Sequence, residues 1–407
     1  MSDNARTIAI VLHDLPLGGS ERIAVRLANR WAALGRRVTL FCGSREGPLA
    51  ELIHADVEIV EADPPIPRAR GSRKALGRAT ADYVAKHRPD ILFVPGNYHW
   101  PILPAIDALP VDQRPGVVAQ IGTPLYRHGR GVLAQIPYNL KTRRQLRRVD
   151  RAISLSDSMT DDANRTLGRR VTQCIRLPAL DDDDHAFVPP ASGKIILAAG
   201  RLVKEKGFDV ALRAFALLND PNAKLVIVGE GERRAELEAL AAELGVADRV
   251  SLPGYVPDIR PWLEIARTFL LTSWYEGYAA VIVEALGAGR PVVSTDCTPA
   301  ARELLSDSPN GRVASIGDAA ALAEGLRQVL NGPAPDPRVL ARSVVEYRIG
   351  PIAEAYLQVF DAVVAKRASP AVVKRFAPFP ARVFAIPAGR RGPATAARFR
   401  SAWRRSA

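Results

Sequence analysis

At 407 residues, with 47% hydrophobic content, the chain can bury cores for two or three domains, and no apolar run approaches the roughly 20 residues that a membrane-crossing helix needs. Three cysteines, Cys42, Cys174 and Cys297, stand far apart with no C-x-x-C pair, which excludes a disulfide framework and a cysteine zinc site. The net charge of +13 sits almost wholly in residues 366–407, where eleven basic residues meet no Asp or Glu, so the first 365 residues keep only +2.

The polar start at 1–6 runs into a short apolar segment without a signal-peptide core, so a cytoplasmic protein is expected, at most peripheral at the inner face of a membrane. Residues 7–12 read as a first strand, followed by a Gly-Gly turn and a helix over 21–34 with Ile23, Leu27, Trp31 and Leu34 on one face and Gly35 as its stop. Strands follow at 38–42, 57–60, 91–94, 117–121 and 152–155, with helical stretches such as 72–87 and 131–148 between them. This alternation is the pattern of a parallel, doubly wound sheet.

Residues 178–192 break the pattern with Asp181–Asp184 and Pro189-Pro190, the composition of a linker. A second series then begins: strands at 195–199, 225–228, 250–252, 269–271, 292–294 and 312–314, and helices at 208–218, 232–244, 257–266, 280–288 and 319–330. The expected organisation is an α/β chain with Rossmann-like domains at 1–178 and 193–345, a linker at 179–192, a helix at 346–366 and a basic tail at 367–407. Two such sheets leave a cleft where the carboxyl ends of their strands face.

The chemistry concentrates in Ser273-Trp-Tyr-Glu-Gly-Tyr-Ala-Ala-Val-Ile-Val-Glu-Ala-Leu-Gly-Ala-Gly-Arg-Pro-Val-Val-Ser294. Glu284 lies inside an apolar helical run, where an unpaired carboxylate would cost several kcal/mol, so it needs a partner. Glu276 precedes that helix, where the first N–H groups are free to face a ligand. A ligand rich in hydroxyls lying across the helix mouth explains both. A second cluster, Ala199-Gly-Arg-Leu-Val-Lys-Glu-Lys-Gly-Phe208, ends a strand and starts a helix, putting Arg201 and Lys206 where positive charge is locally unfavourable unless an anion joins them. A third, Gly18-Gly19-Ser20-Glu21-Arg22, opens the first helix; it is not the G-x-G-x-x-G dinucleotide fingerprint.

Together these motifs resemble the signature of the retaining nucleotide-sugar glycosyltransferases of family 4, which share the two-domain GT-B fold; the resemblance covers roughly residues 5–365. It implies that Arg201 and Lys206 meet the donor diphosphate, and that Glu276, with the amides of Gly277, Tyr278 and Ala279, holds the sugar. It further implies that Glu284 accepts from the ribose, that the main chain around Gly254 and Val256 frames the base, and that Gly18, Gly19 and Gly200 line the phosphate path. Glu276, Arg201 and Lys206 are the catalytic candidates. The donor is a substrate, with a UDP-sugar the leading choice, and neither cofactor nor metal is expected, since no Asp-x-Asp cluster stands in a suitable loop.

Many relatives place a His just after the fifth strand, but here that segment reads Val117-Val-Ala-Gln-Ile-Gly-Thr-Pro124. Gln120, Gly122, Thr123 and His99 are therefore the acceptor-side candidates, with His128 nearby in sequence. The acceptor class the resemblance implies is a glycan, a lipid-linked sugar or a small molecule. Basic residues at 141–151 and 366–407, the latter interleaved with Phe376, Phe379, Phe384, Phe399 and Trp403, suit an anionic membrane, and no nucleic-acid recognition module is present. Two alternatives stay open: a same-fold nucleotide-sugar epimerase or hydrolase, and a non-catalytic protein that binds membrane or nucleic acid through the tail.

Overall fold

A computed structural model of the chain describes residues 4–16, 18–126, 131–183, 193–306 and 309–368. His128, Asp184, Pro189-Pro190 and the tail beyond residue 368 lie outside the described residues.

The first half runs β1 (Thr7–Leu12), α1 (Gly19–Ala33), β2 (Arg37–Cys42), β3 (Val57–Glu61), α2 (Ser72–His87), β4 (Ile91–Val94), α3 (Leu103–Ala108), β5 (Gly116–Ile121), α4 (Val132–Gln145), β6 (Arg151–Ser154), α5 (Asp157–Leu167) and β7 (Thr172–Cys174). Its strands form a seven-stranded sheet in the order β3-β2-β1-β4-β5-β6-β7, with every pair parallel. Ile8 through Leu12 are all buried, as a parallel strand covered on both faces requires.

The second half runs β8 (Lys194–Ala199), α6 (Phe208–Leu218), β9 (Ala223–Val228), α7 (Arg234–Glu243), β10 (Val250–Gly254), α8 (Arg260–Ile265), β11 (Thr268–Leu271), α9 (Ala280–Gly287), β12 (Val292–Thr295), α10 (Pro299–Leu305), β13 (Gly311–Ala314), α11 (Ala319–Asn331) and α12 (Pro337–Arg342). Its six parallel strands are ordered β10-β9-β8-β11-β12-β13. In each sheet the winding direction reverses once, between β1 and β4 and between β8 and β11. Those two reversal points are where open α/β sheets leave a crevice beyond their strand ends.

The differences from expectation have local causes. β7 has only three residues, and α5, α10 and α12 are short or polar, so hydrophobic periodicity does not reveal them. α5 is instead fixed by its cap, with Ser156 Oγ accepting from the Met159 N–H. The expected 131–148 helix ends at Gln145 and the 257–266 helix shrinks to Arg260–Ile265, which begins after Asp258 accepts from the Arg260 N–H.

A last helix, α13 (Ile349–Ala368), packs on the first sheet and not on the second. Trp31 Nε1 donates to the Ala353 carbonyl at 3.1 Å, and Asp361 accepts from the Ala5 N–H at 2.8 Å. Trp31, Phe93, Tyr356 and Phe360 form one aromatic cluster with mostly edge-on or tilted rings. On the way to α13 the chain runs beside its own outgoing segment: Leu180 N–H donates to Tyr347 O, Ile349 N–H to Leu180 O, and Gly350 N–H to Asp182 Oδ1.

Candidate functional site

The loops that carry the expected donor residues leave the ends of β8 and β11 and are sewn together. After β8 comes Gly200, then a single 3-10 turn at Lys204–Lys206, closed by Gly207 at φ +63°. A Cβ on Gly207 would lie 2.2 Å from the Thr272 carbonyl oxygen, so only glycine lets the two loops touch there. Thr272 Oγ1 donates to Lys206 O at 3.1 Å, and the Trp274 N–H donates to Glu205 O at 2.9 Å.

That stitching sets Lys206 Nζ 2.7 Å from Glu276 Oε1, which also accepts from Ser273 Oγ at 2.7 Å. The Glu276 N–H donates to Cys297 O, and Thr298 Oγ1 donates to Gly277 O, so the backbone behind the carboxylate is fixed too. Ala279, the residue that caps α9, sits in the left-handed region at φ 57°. A non-glycine residue there costs on the order of 1 kcal/mol, and such positions cluster at ligand sites. Arg201 is exposed, and its guanidinium has no hydrogen-bond or ion-pair partner among the described residues.

Glu284 rides on α9, whose Ile282, Val283, Ala285 and Leu286 are buried and leave it on the remaining face, half-buried. Burial raises its pKa from the usual carboxylate value, opposed by the charges of Arg22 and Arg26 on α1 and of Arg260 on α8. The carboxylate thus faces the first half of the chain across the cleft.

The walls of that cleft meet next to Glu276. Gly122 and Thr123 follow β5 and are held by Asn97, which accepts from the Gly122 N–H and donates to Thr123 Oγ1, both at 2.8 Å. A Cβ on Gly277 would stand 2.4 Å from Gly122 O and 3.2 Å from Thr123 Cγ2. Arg22 Nη2 donates to Pro257 O at 2.9 Å, and Ser158 Oγ to Glu303 Oε1 at 2.6 Å, so further contacts bridge the halves. Gly18 caps α1, and a Cβ there would strike Glu21, which Arg68 holds; Gly19 has open space around it. Gly254 ends β10 at φ +94° and passes its carbonyl to the Gly229 N–H; Val256, two residues on, is half-buried. Tyr278 buries its side chain and pairs its hydroxyl with Tyr347, leaving only its main chain for the helix mouth.

Two acceptor-side expectations are corrected. Gln120 points away from the cleft: it is buried, and its amide donates to Tyr356 Oη on α13 at 2.9 Å. His99 is buried as well, with Nδ1 2.7 Å from the Pro95 carbonyl and Nε2 accepting from the His13 N–H at 3.2 Å. Because a carbonyl only accepts, Nδ1 carries the proton and the ring is neutral. His99 therefore ties the loop after β1 to the loop after β4. Sequence reasoning passed over His13, which directly follows β1 at the reversal point. It is fully buried, with Nδ1 3.3 Å from Tyr98 Oη and Nε2 without a hydrogen-bond partner among the described residues.

Burial lowers the His99 pKa from 6.5 to about 4 and that of His13 in the same direction. The unfolded chain then binds more protons than the folded one between those limits, so stability holds above pH 6.5 and is lost as pH falls towards 4. The expected loss is on the order of 3 kcal/mol from His99. Denaturant unfolding across this range should show it, with a shallower decline in His99→Asn; equal slopes would contradict the neutral buried ring.

Among the described residues no group of three or more His, Cys, Asp or Glu side chains could hold a metal ion, and no helix is long and apolar enough to cross a membrane.

Residues 17–175 match the family described as Glycosyltransferase Family 4, and residues 181–344 match that described as Glycosyl transferases group 1. The lipopolysaccharide core biosynthesis glycosyltransferase LpsE of Rhizobium meliloti (strain 1021) is 34% identical over 173 residues, 42% of this chain and 50% of LpsE. The chain spans about half the length of the curated relatives it matches. Its fold is similar to sucrose-phosphate synthase from Thermosynechococcus elongatus, with a TM-score of 0.73, 20% identity, and 88% of this chain and 99% of that one covered. It is also similar to Anabaena HepE in complex with UDP and glucose, with a TM-score of 0.65, 18% identity, and 88% and 98% covered. Two parallel sheets wound in this way form the GT-B architecture, and the chain belongs to the group 1 and family 4 glycosyltransferases, with the family 4 region on the first sheet and the group 1 region on the second.

Proposed function

We propose that the protein transfers a hexosyl unit from a UDP-sugar to a hydroxyl of a glycan or lipid-linked glycan with retention at the anomeric carbon, working at the inner face of a membrane. The observation that carries this reading is the contact of Lys206 with Glu276 at the mouth of α9, beside an Arg201 that has no partner among the described residues. A fork donor and a point charge at this place suit a diphosphate, whose departing oxygens gain negative charge as the sugar leaves. Glu276 and the amides of Gly277, Tyr278 and Ala279 would hold the sugar hydroxyls. Ribose hydroxyls donating to Glu284 would offset the burial that now raises its pKa. Gly18, Gly19 and Gly200 would flank the phosphates, and the main chain at Gly254 and Val256 the base.

In the reaction the bond from the anomeric carbon to the diphosphate oxygen breaks, the acceptor oxygen bonds to that carbon on the same face, and the acceptor proton passes to the departing diphosphate. Gly122 and Thr123, packed against Gly277, are the first-half residues best placed to line the acceptor side. HepE supports the choice of UDP, since it has been crystallised with UDP and glucose, and the similarity to LpsE supports a glycolipid acceptor.

Melting the protein with UDP-, GDP- and ADP-sugars tests the donor site. A ligand at about 100 times its Kd stabilises by about 2.7 kcal/mol. Stabilisation by UDP-sugars, lost in Arg201→Ala, is expected. Silence towards all three classes would overturn the reading and favour a non-catalytic protein; turnover of the donor without any acceptor would favour the epimerase or hydrolase.

A further inference from the structure

Both ends of α9, the helix that carries Glu284, are held by the crossing between the halves. At its mouth Tyr278 sends its hydroxyl to that of Tyr347, 2.5 Å away, and both side chains are buried. At its far end Gly287 leaves room for Leu180: a Cβ there would stand 2.7 Å from Leu180 Cδ2. Leu180 lies on the segment that leaves the first half and Tyr347 on the one that leads back, and the Leu180 N–H donates to Tyr347 O at 3.0 Å. The turn that bears Tyr347, Val345–Tyr347, is tied to the first half by Arg176, just beyond β7, which pairs with Glu346 at 3.4 Å and with Asp157 on α5 at 3.2 Å.

We propose that Tyr347 and Leu180 are positioning residues for the donor, acting through Tyr278 and Gly287 to set where α9 presents Glu284 and the amides of residues 277–279. A phenylalanine at 278 would fill the same core in any of several neighbouring placements. A buried hydroxyl is satisfied only where its partner is in reach, so the contact of Tyr278 with Tyr347 specifies one placement and penalises the rest. Because both handles lie where the chain crosses between the halves, a change in the angle of the halves is passed to the donor helix. The role in donor binding rests on the proposed function; the fixing of α9 does not.

The test compares the full chain with its Tyr347→Phe and Tyr278→Phe/Tyr347→Phe variants by melting temperature, hydrogen exchange, and the Kd for UDP-, GDP- and ADP-glucose from ligand-dependent melting. Tyr347→Phe orphans the buried Tyr278 hydroxyl and should lower the melting temperature by a few degrees. The double variant orphans neither hydroxyl and should melt close to the parent. In both variants exchange over residues 276–287 should quicken about fivefold, and the Kd of the bound nucleotide sugar should rise about fivefold, the contribution of one hydrogen bond. Leu180→Ala, which frees the other end of α9, should move exchange and Kd in the same direction.

Unchanged exchange over residues 276–287 and unchanged Kd in both tyrosine variants overturn the proposal. So does their return to parent values in the double variant along with the melting temperature, which would make the pair a structural contact and nothing more. A quickening spread evenly over residues 193–345 would overturn it too. If Tyr347→Phe fails to fold, the double variant decides. Silence of the parent towards all three nucleotide sugars counts against the transferase reading alone, and exchange over α9 then decides the placement by itself.

Discussion

Lys206→Ala is expected to lower kcat about 10²- to 10³-fold, the scale seen when one fixed charge or donor facing a developing anion is removed. The variant takes away the cation nearest the proposed leaving diphosphate and leaves Glu276 with Ser273 as its remaining side-chain partner. Its effect on folding should be far smaller, about 1–3 kcal/mol for an ion-paired carboxylate that loses one charged partner. Lys206→Arg keeps the charge but replaces a compact point with a planar fork, and should recover only part of the rate. Transfer kinetics with a UDP-sugar, alongside melting curves, make the comparison. Activity within a few-fold of the parent in Lys206→Ala would remove Lys206 from the chemistry.

Gly277→Ala should behave in the opposite way to a core mutation, losing activity while keeping stability. Gly277 does not lie in the left-handed region, so its backbone accepts alanine without strain. The new methyl would nonetheless stand 2.4 Å from Gly122 O, on the other side of the cleft. The clash is relieved if the two halves part by about an ångström, and a misplacement of that size costs on the order of 10²-fold in rate. The melting temperature should move far less than in a core mutant, since the clash lies at the cleft wall and removes no buried side chain. Unchanged kcat/KM in Gly277→Ala would show that the close approach of Gly277 to Gly122 has no part in the working arrangement.

Much of the fold was legible because parallel strands buried on both faces write themselves as apolar runs, and helix 208–218 and strands 7–12 and 91–94 match their observed bounds. α5 escaped because Asp157-Ser-Met-Thr-Asp-Asp-Ala-Asn presents mostly polar residues and its start is fixed by the Ser156 cap. The donor candidates were legible through their motifs, but the contact between Lys206 and Glu276 spans seventy positions and depends on Gly207 passing under Thr272, which no local pattern encodes. Gln120 was misplaced for a related reason. On a strand covered on both faces, alternation does not say which side of the sheet a polar residue faces, and here that side is filled by Tyr356 from the far end of the described chain. His13 gave no signal in composition or periodicity; only its place directly after β1 marks it.

The packing of α13 has a consequence for how the protein is made. Trp31 and Phe93 pack against Tyr356 and Phe360, residues translated more than three hundred positions after Trp31. A nascent chain ordinarily completes its first domain before its second emerges. Here the first sheet stays open along one flank until the second has been synthesised, so the half that leaves the ribosome first is finished last. The second half can collapse on its own core while the first waits for α13 to return. A stop codon in the second half, anywhere before residue 349, would therefore strike the first half, uncovering the aromatic cluster beneath β1 and β4.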